Sequence, residues 1–381
     1  MSFLQHGLAD AARRQKSRTC ALAARLQIEG VDKVVDRASP SLPTRPLGTT
    51  GMNITRLGLG TWVLGGPNWA FGWGPQDDAV SVATIRHALE RGLNWIDTSA
   101  VYGLGHAEEL VCRALRDIPR ADRPYVFSKG SLVWDERDHS IPPQRVGNPA
   151  SLRREVEASL RRLQVECIDL YQMHWPADDT PLEVYWQTLL DLRREGKVHH
   201  VGLSNHDAKQ LEAAERLGHV ETLQPPFSAI RREAAAAELP WCAAHNTGVI
   251  VYSVLQSGLL TGSFKLSALP QNDWRARGPD YNKAAGADFA GEPLRQNLAL
   301  ADALKPIAAR HGVTPAAIAS AWTLAWPGVT GAIMGARRPA QVDGWISAAT
   351  LELSRADLQE IADAIARTGA GAGPALPPRQ G

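Results

Sequence analysis

The 381-residue sequence is poor in cysteine. Its four cysteines, Cys20, Cys112, Cys167 and Cys242, stand far apart, so there is no CxxC pair and no zinc-knuckle spacing. Scattered thiols fit a reducing cytosol better than a disulfide scaffold, and the expected location is cytoplasmic. The chain also lacks a charge excess: 41 Lys+Arg against 40 Asp+Glu leave a formal net charge of +1. A nucleic-acid binder usually carries a strongly basic domain or stripe, so no nucleic-acid partner is expected. Long apolar runs are missing as well. Residues 315–335 carry no charge, but Pro327-Gly328 interrupts them and Ser320, Thr323 and Thr330 dilute them, so they read as a helix followed by a buried strand rather than a membrane span. At the N-terminus Arg13, Arg14, Lys16 and Arg18 break any apolar signal segment. Gly58-Leu59-Gly60 is followed by Val63 where a third glycine would complete a dinucleotide fingerprint, so no Rossmann motif exists. His199-His200 point to opposite faces of a strand, and His174 with Asp178 and Asp179 has no ligand spacing. No metal is expected.

What is present is ordinary globular composition, 44% hydrophobic and 21% charged. Residues 1–44 are polar, basic at 13–18, and end in a Ser/Pro-rich stretch; they read as a mobile extension. Residues 369–381, rich in Gly, Ala and Pro, read as a disordered tail. Between them, 45–368, short β-branched runs alternate with helical periodicity. The expected strands are 56–60, 94–97, 125–129, 168–174, 199–204, 222–224, 249–252 and 330–334. Helical stripes follow them, such as Val82, Ile85 and Leu89, or Val156, Leu160 and Leu163. Thr180-Pro181-Leu182-Glu183 and Thr314-Pro315 look like capped helix starts. Repeated strand–helix units with continuously apolar strands predict an α/β fold, a (β/α)8 TIM barrel, with an open doubly wound sheet as the rival. An N-terminal hairpin over 45–54 is placed to plug the floor, an extra C-terminal helix covers 354–367, and the Gly/Pro/Arg-rich segment 263–293 has the length of a functional lid or a disordered loop.

In such barrels chemistry sits where the strands end. The expected strands end in Asp97, with Tyr102 beyond it, then Lys129, His174, Ser204-Asn205, Gln224 and Tyr252-Ser253. A tyrosine is a weak acid near neutral pH. A neighbouring lysine would favour its phenolate, and a carboxylate would hold that lysine charged. An imidazole can orient a carbonyl oxygen. The set suits protonation of a carbonyl as hydride reaches its carbon. Trp62, Trp69 and Trp73, on the loop after the first barrel strand, are placed to wall a substrate pocket.

These motifs, with Ile168 through Pro176, Val201 through Asn205, Gly258 through Gly262 and Gly335 through Gln341, resemble the aldo-keto reductases from about Arg45 to Arg367. The likeness is greatest to the bacterial NADP-dependent branch associated with inositol catabolism. The resemblance implies an enzyme, an NADP(H)-dependent oxidoreductase that reduces aldehyde or ketone carbonyls. Tyr102 would be its general acid, Lys129 the activator, Asp97 the lysine's partner and His174 the orienting residue. For the cofactor it implies Thr61, Trp62, Ser204, Asn205, Gln224, Tyr252, Ser253, Leu255, Gly258, Gly335, Arg337, Arg338 and Gln341. Two departures stand out: Val254 replaces a frequent proline, and Gly344-Trp345 replace a frequent Glu-Asn near the adenine. Arg337 and Arg338 precede a helix and suit a 2′-phosphate. The alternatives are a sugar or polyol dehydrogenase run by the same groups, or a regulatory subunit that senses NADP(H). The expected partner is a small carbonyl or sugar substrate.

Overall fold

The computed structural model describes residues 42–277 and 286–378. Most of the extension expected over 1–44 thus lies outside the described residues, as does part of the long segment 263–293. An antiparallel hairpin, β1 (Thr44–Pro46) with β2 (Asn53–Thr55), opens the fold. Eight strands then close into a parallel barrel: β3 (Leu57–Gly60), β4 (Trp95–Asp97), β5 (Tyr125–Gly130), β8 (Ile168–Met173), β9 (Val198–Ser204), β10 (Thr222–Gln224), β11 (Gly248–Val251) and β12 (Gly331–Gly335). Between β5 and β8 the short strands β6 (Leu132–Val133) and β7 (Gln144–Arg145) pair antiparallel. The (β/α)8 expectation holds, and the open sheet is excluded by closure.

Helices cover the outside: α1 (Asp78–Glu90), α2 (His106–Leu115), α3 (Pro149–Leu163), α4 (Leu182–Arg194), α5 (Ala208–Glu215), α6 (Glu238–His245), α7 (Gly291–His311), α8 (Pro315–Leu324), α9 (Pro339–Trp345) and α10 (Arg355–Thr368). Several carry the expected caps. Thr314 accepts from Ala317 N at the start of α8, and Ser354 with Asp357 forms a reciprocal capping box on α10. Thr180 does not cap α4, which begins at Leu182 with Pro181 in the cap position. The charge-free stretch 315–335 divides into α8 and β12, and among the described residues no helix is long and apolar enough to cross a membrane.

Side chains alternate along each strand, so inward residues stack in layers. The lower layer is apolar. Trp95, Phe127, Leu170 and Ile250 are fully buried there, joined from the hairpin by Leu47 and Ile54. The hairpin therefore does plug the floor. Gly58 makes room for this layer: a Cβ there would lie 2.1 Å from the Trp95 ring. Two residues further up the same strands and on the same face come Asp97, Lys129 and Gln172, all buried. The barrel changes from hydrocarbon to a polar network within one step of the pleat.

The tail corrects its expectation over 369–378. Ala372 N donates to Ile230 O at 3.2 Å, and Arg232 N donates to Ala372 O at 3.0 Å. The Arg232 guanidinium bonds the carbonyls of Ala370 and Gly373, both at 3.1 Å. Gly371 has φ +60 and passes so close to Ile230 O that no side chain fits. The glycines there serve a close backbone approach rather than looseness.

Candidate active site

The upper layer holds the candidate residues. Lys129 Nζ, fully buried, donates to Asp97 Oδ1 at 2.6 Å and to Thr98 O at 3.0 Å. The other carboxylate oxygen of Asp97 accepts from Gln224 Nε2 at 2.9 Å, and that same nitrogen donates to Gln172 Oε1 at 2.8 Å. Gln172 in turn donates to Thr222 Oγ1 at 3.2 Å. Both oxygens of the buried carboxylate are thus met. Burial pushes the Asp97 carboxyl up and the Lys129 ammonium down, and the contact between the two opposes both shifts.

Tyr102 stands above this pair, with Lys129 Nζ 5.3 Å from its ring centroid. The His174 ring meets it edge-on at 5.7 Å. The sequence reading expects Lys129 to draw the phenol pKa down. The structure gives the opposite direction: burial first, then the charges of Asp97 and Tyr252, hold the Tyr102 phenol well above its ordinary value. His174 is pushed well below the usual histidine range by burial, and next by Lys129, so its ring is neutral near pH 7. Its Nδ1 is 3.1 Å from Ser99 Oγ.

Two cavities meet here. One, about 510 Å³, runs from Tyr102 past Thr61, Trp62, Tyr252, Ser253, Leu255 and Gly258 to Gly335, Arg337, Arg338 and Gln341. The other, about 550 Å³, opens on the opposite side between Trp62, Trp69, Phe71, His174 and Trp274, with Ser204 and Asn205 in its wall. Trp62, Tyr102, Gln224, Tyr252 and Ser253 line both. The fold thus gathers every candidate residue around one junction and two arms.

Their local environments differ. Thr61 Oγ1 bonds Thr98 Oγ1 at 2.8 Å and so braces the rim. Ser204 turns its hydroxyl to Gln224 O at 2.8 Å. Asn205 adopts φ +63; its Nδ2 donates to His174 O at 2.8 Å, and its Oδ1 accepts from Tyr252 OH at 2.7 Å. Beyond Tyr252 the backbone turns left-handed at Ser253, Gln256, Ser257 and Gly258. The two arginines at the far end separate. Arg337 Nε donates to Gln76 Oε1 at 2.9 Å, and its NH2 group meets Pro75 O. Gln76 Nε2 returns a bond to Arg337 O at 2.9 Å. Arg338 is exposed at the start of α9. Trp345 is buried in the core while still bordering the first cavity.

Some participants escape the sequence reading. Gln172 was findable, since it lies two residues before His174 and so shares its face of the strand. Trp274 and Arg275 were not, because they come from the long segment after β11. Trp274 stacks on Trp62 at 5.7 Å, and its backbone N–H donates to Gly72 O at 3.1 Å. Arg275 is clamped to buried Asp273 at 2.6 Å, donates to Ser257 O at 2.8 Å and lies 4.4 Å over the Trp73 ring. The described part of the segment therefore folds under Trp62 and Trp73 and borders both cavities.

Comparison with known proteins agrees with this geometry. The model of the Aldo/keto reductase family matches residues 56–366. The sequence is 32% identical over 314 residues to "Aldo-keto reductase YhdN" of Bacillus subtilis (strain 168), covering 82% of this chain and 90% of that protein. It is 33% identical over 337 residues to "NADH-specific methylglyoxal reductase" of Escherichia coli (strain K12), covering 84% and 99%. Among solved structures, the glycerol dehydrogenase AKR11B4 from Gluconobacter oxydans superposes with a TM-score of 0.75 at 34% identity, covering 88% of this chain and 98% of that one.

Proposed function

The chain belongs to the aldo/keto reductase family and is an NAD(P)H-dependent oxidoreductase, and on that premise we propose that it reduces a small aldehyde or ketone with NADPH, Tyr102 being the general acid. The observation that carries this reading is the junction: Tyr102 is shared by two cavities and backed by the buried Lys129–Asp97 pair.

The first cavity fits a nicotinamide dinucleotide in its donor set. Tyr252 offers a ring at the junction, Gly258 and Gly335 allow close backbone approach, and Arg338 offers a guanidinium at the far end. Alternating right- and left-handed residues such as Leu255 and Gln256 form the kind of backbone concavity that holds phosphate oxygens. When bound there, the nicotinamide supplies the hydride that the carbonyl carbon receives.

The chain's own residues do the rest. The Tyr102 hydroxyl donates its proton to the carbonyl oxygen as negative charge develops there. Its raised pKa keeps it protonated at neutral pH, which suits reduction and makes it a poor base for the reverse reaction until the medium is alkaline. Lys129 places a positive charge beneath the phenol that stabilises the tyrosinate left behind, and Asp97 with Thr98 fixes that charge in place. Neutral His174, oriented by Ser99, offers a hydrogen bond to the same carbonyl oxygen. The tryptophan walls exclude water and strengthen each of these interactions. A dehydrogenase direction, named in the glycerol dehydrogenase relative, uses the same groups in reverse.

Cofactor choice rests on Arg338, because Arg337 is tied to Pro75 and Gln76. The narrower likeness to the NADP-dependent branch associated with inositol catabolism is part of the proposal and rests on the same arginine. The test follows absorbance of the reduced nicotinamide over a panel of aldehydes, ketones and sugars with NADPH and NADH, and titrates both cofactors into wild type and Arg338→Ala. The expected result is NADPH turnover and a loss of about tenfold in NADPH affinity with NADH spared, the lower end for a charged hydrogen bond at an exposed site. Equal losses for the two cofactors would remove Arg338 from discrimination. Tight NADPH binding with no turnover on any carbonyl would favour the regulatory reading.

A further inference from the structure

The second cavity presents a guanidinium that carbonyl reduction itself does not require. Arg145 on β7 lines it together with Tyr102 and His174. Its backbone is bonded from both sides. Residue 145 pairs with Leu132 across the β6–β7 hairpin, and Arg145 O accepts from Asp178 N at 3.0 Å. The root of the hairpin is held too. Ser131, at φ +87, donates its N–H to Glu155 Oε2 at 2.7 Å, and its carbonyl accepts from Val146 N at 2.8 Å. A backbone so held presents its side chain in a set direction.

The guanidinium carbon lies 4.5 Å from the ring centroid of Trp175, the residue directly after His174. Stacking of this kind fixes the plane of the fork and leaves its N–H edges free to meet a planar anion. Among the described residues no carboxylate comes within ion-pair distance of Arg145. The nearby Asp179 is committed to Gly147 N at 2.7 Å and Asn148 Nδ2 at 3.3 Å. Arg231, which also lines the cavity, differs: Asp288 Oδ2 stands 3.4 Å from it. The cavity therefore has aromatic walls, a proton donor in its lining and, at its solvent edge, an exposed guanidinium that meets no carboxylate within ion-pair distance among the described residues.

We propose that the substrate is a carbonyl compound bearing a carboxylate or phosphate, and that Arg145 recognises this group. The proposal rests on the carbonyl-reductase reading above and names the substrate class of that site. A neutral polyol offers no charge for this guanidinium to pair with, whereas an anionic carbonyl compound does. Bidentate geometry suits carboxylate and phosphate alike.

The test compares, with NADPH in excess, butanal with 4-oxobutanoate, and glyceraldehyde with glyceraldehyde 3-phosphate. The measured quantity is the ratio of kcat/KM for the anionic over the neutral member of each pair. Wild type is expected to favour at least one anionic member by about tenfold or more, from the worth of a charged hydrogen bond. Arg145→Gln is expected to bring that ratio down to near unity, Arg145→Lys to restore part of it, and added salt to lower it. Which pair responds separates carboxylate from phosphate. Because the ratio is taken within one variant, loss of folded enzyme cancels. Ratios near unity in wild type, or a preference that survives Arg145→Gln, overturn the inference while turnover of the neutral aldehydes leaves the reductase reading standing. No turnover of any member would overturn the reductase reading, and this inference with it.

Discussion

The two layers inside the barrel are built from the same strands, two residues apart, yet they obey opposite rules. The lower layer, Leu47, Ile54, Trp95, Phe127, Leu170 and Ile250, has no titratable group and is sealed by the hairpin. The upper layer, Asp97, Lys129, Gln172 and Gln224, is as dry but polar, and each of these side chains is bonded to another group. Apolar burial contributes through the area removed from water, whereas a buried ion pair contributes little net stability once desolvation is counted. The upper layer is therefore explained by chemistry rather than stability. Its dryness serves that chemistry, since low polarisability strengthens the field that Lys129 exerts on Tyr102.

The strongest way to separate the layers is to remove the reacting atom alone. Tyr102→Phe keeps the ring against His174 and Trp62 and deletes the hydroxyl. Turnover on a verified carbonyl should fall about 10²–10⁴-fold, the usual contribution of a general acid. NADPH affinity and melting temperature should hardly move. Steady-state kinetics beside a thermal melt is the measurement; near-normal turnover would strip Tyr102 of its role.

The converse variant attacks the floor. Leu47 is fully buried between the hairpin and the barrel. Leu47→Ala should cost about 2–5 kcal/mol of stability, the range for a large-to-small change at a packed site. The expected fall in Tm is on the order of 10 °C. Turnover per folded molecule should survive, because Leu47 lines neither cavity. A matching loss of kcat at temperatures where the variant is folded would mean that the layers are mechanically coupled.

How much of this was legible follows from the same geometry. Short apolar runs ending in Asp97, Lys129, His174 or Gln224 state both the strand and its polar end, so barrel and rim follow from local pattern. Contacts between distant segments do not. Nothing in Arg337 announces that Gln76, 261 residues away, will occupy its guanidinium. Nothing in the Gly/Pro-rich stretch after β11 announces that Trp274 will stack on Trp62. The tail misled for a related reason: glycine signals both looseness and close approach, and only the partner, here Ile230, distinguishes them. The direction of the Tyr102 shift was likewise out of reach, since it depends first on burial and then on the neighbouring Asp97 and Tyr252, which come from distant strands.

Acid should find the rim before the floor. Behind Ser204 and Asn205 lies His206, buried, with Nε2 2.8 Å from Tyr185 OH and Nδ1 2.8 Å from Ser204 O. These contacts fit a neutral ring that accepts from the phenol and donates to the carbonyl. Burial lowers its pKa to about 4, against the opposing pull of the Ser204 carbonyl. In the unfolded chain the ring titrates at an ordinary value, about 6.5. Between pH 6.5 and 4 the unfolded state therefore binds the proton that the folded state refuses, and stability falls as pH falls through that window. The full difference amounts to about 3 kcal/mol. His174, lowered in the same direction, adds to it. In His206→Gln, whose amide offers both an acceptor and a donor, the loss of stability from pH 7 to pH 4 should be smaller than in wild type, while the two proteins keep a constant offset above pH 7. Denaturant midpoints across that range measure it. Parallel curves for wild type and His206→Gln down to pH 4 would show that His206 titrates alike folded and unfolded, and that the acid sensitivity of the rim comes from elsewhere.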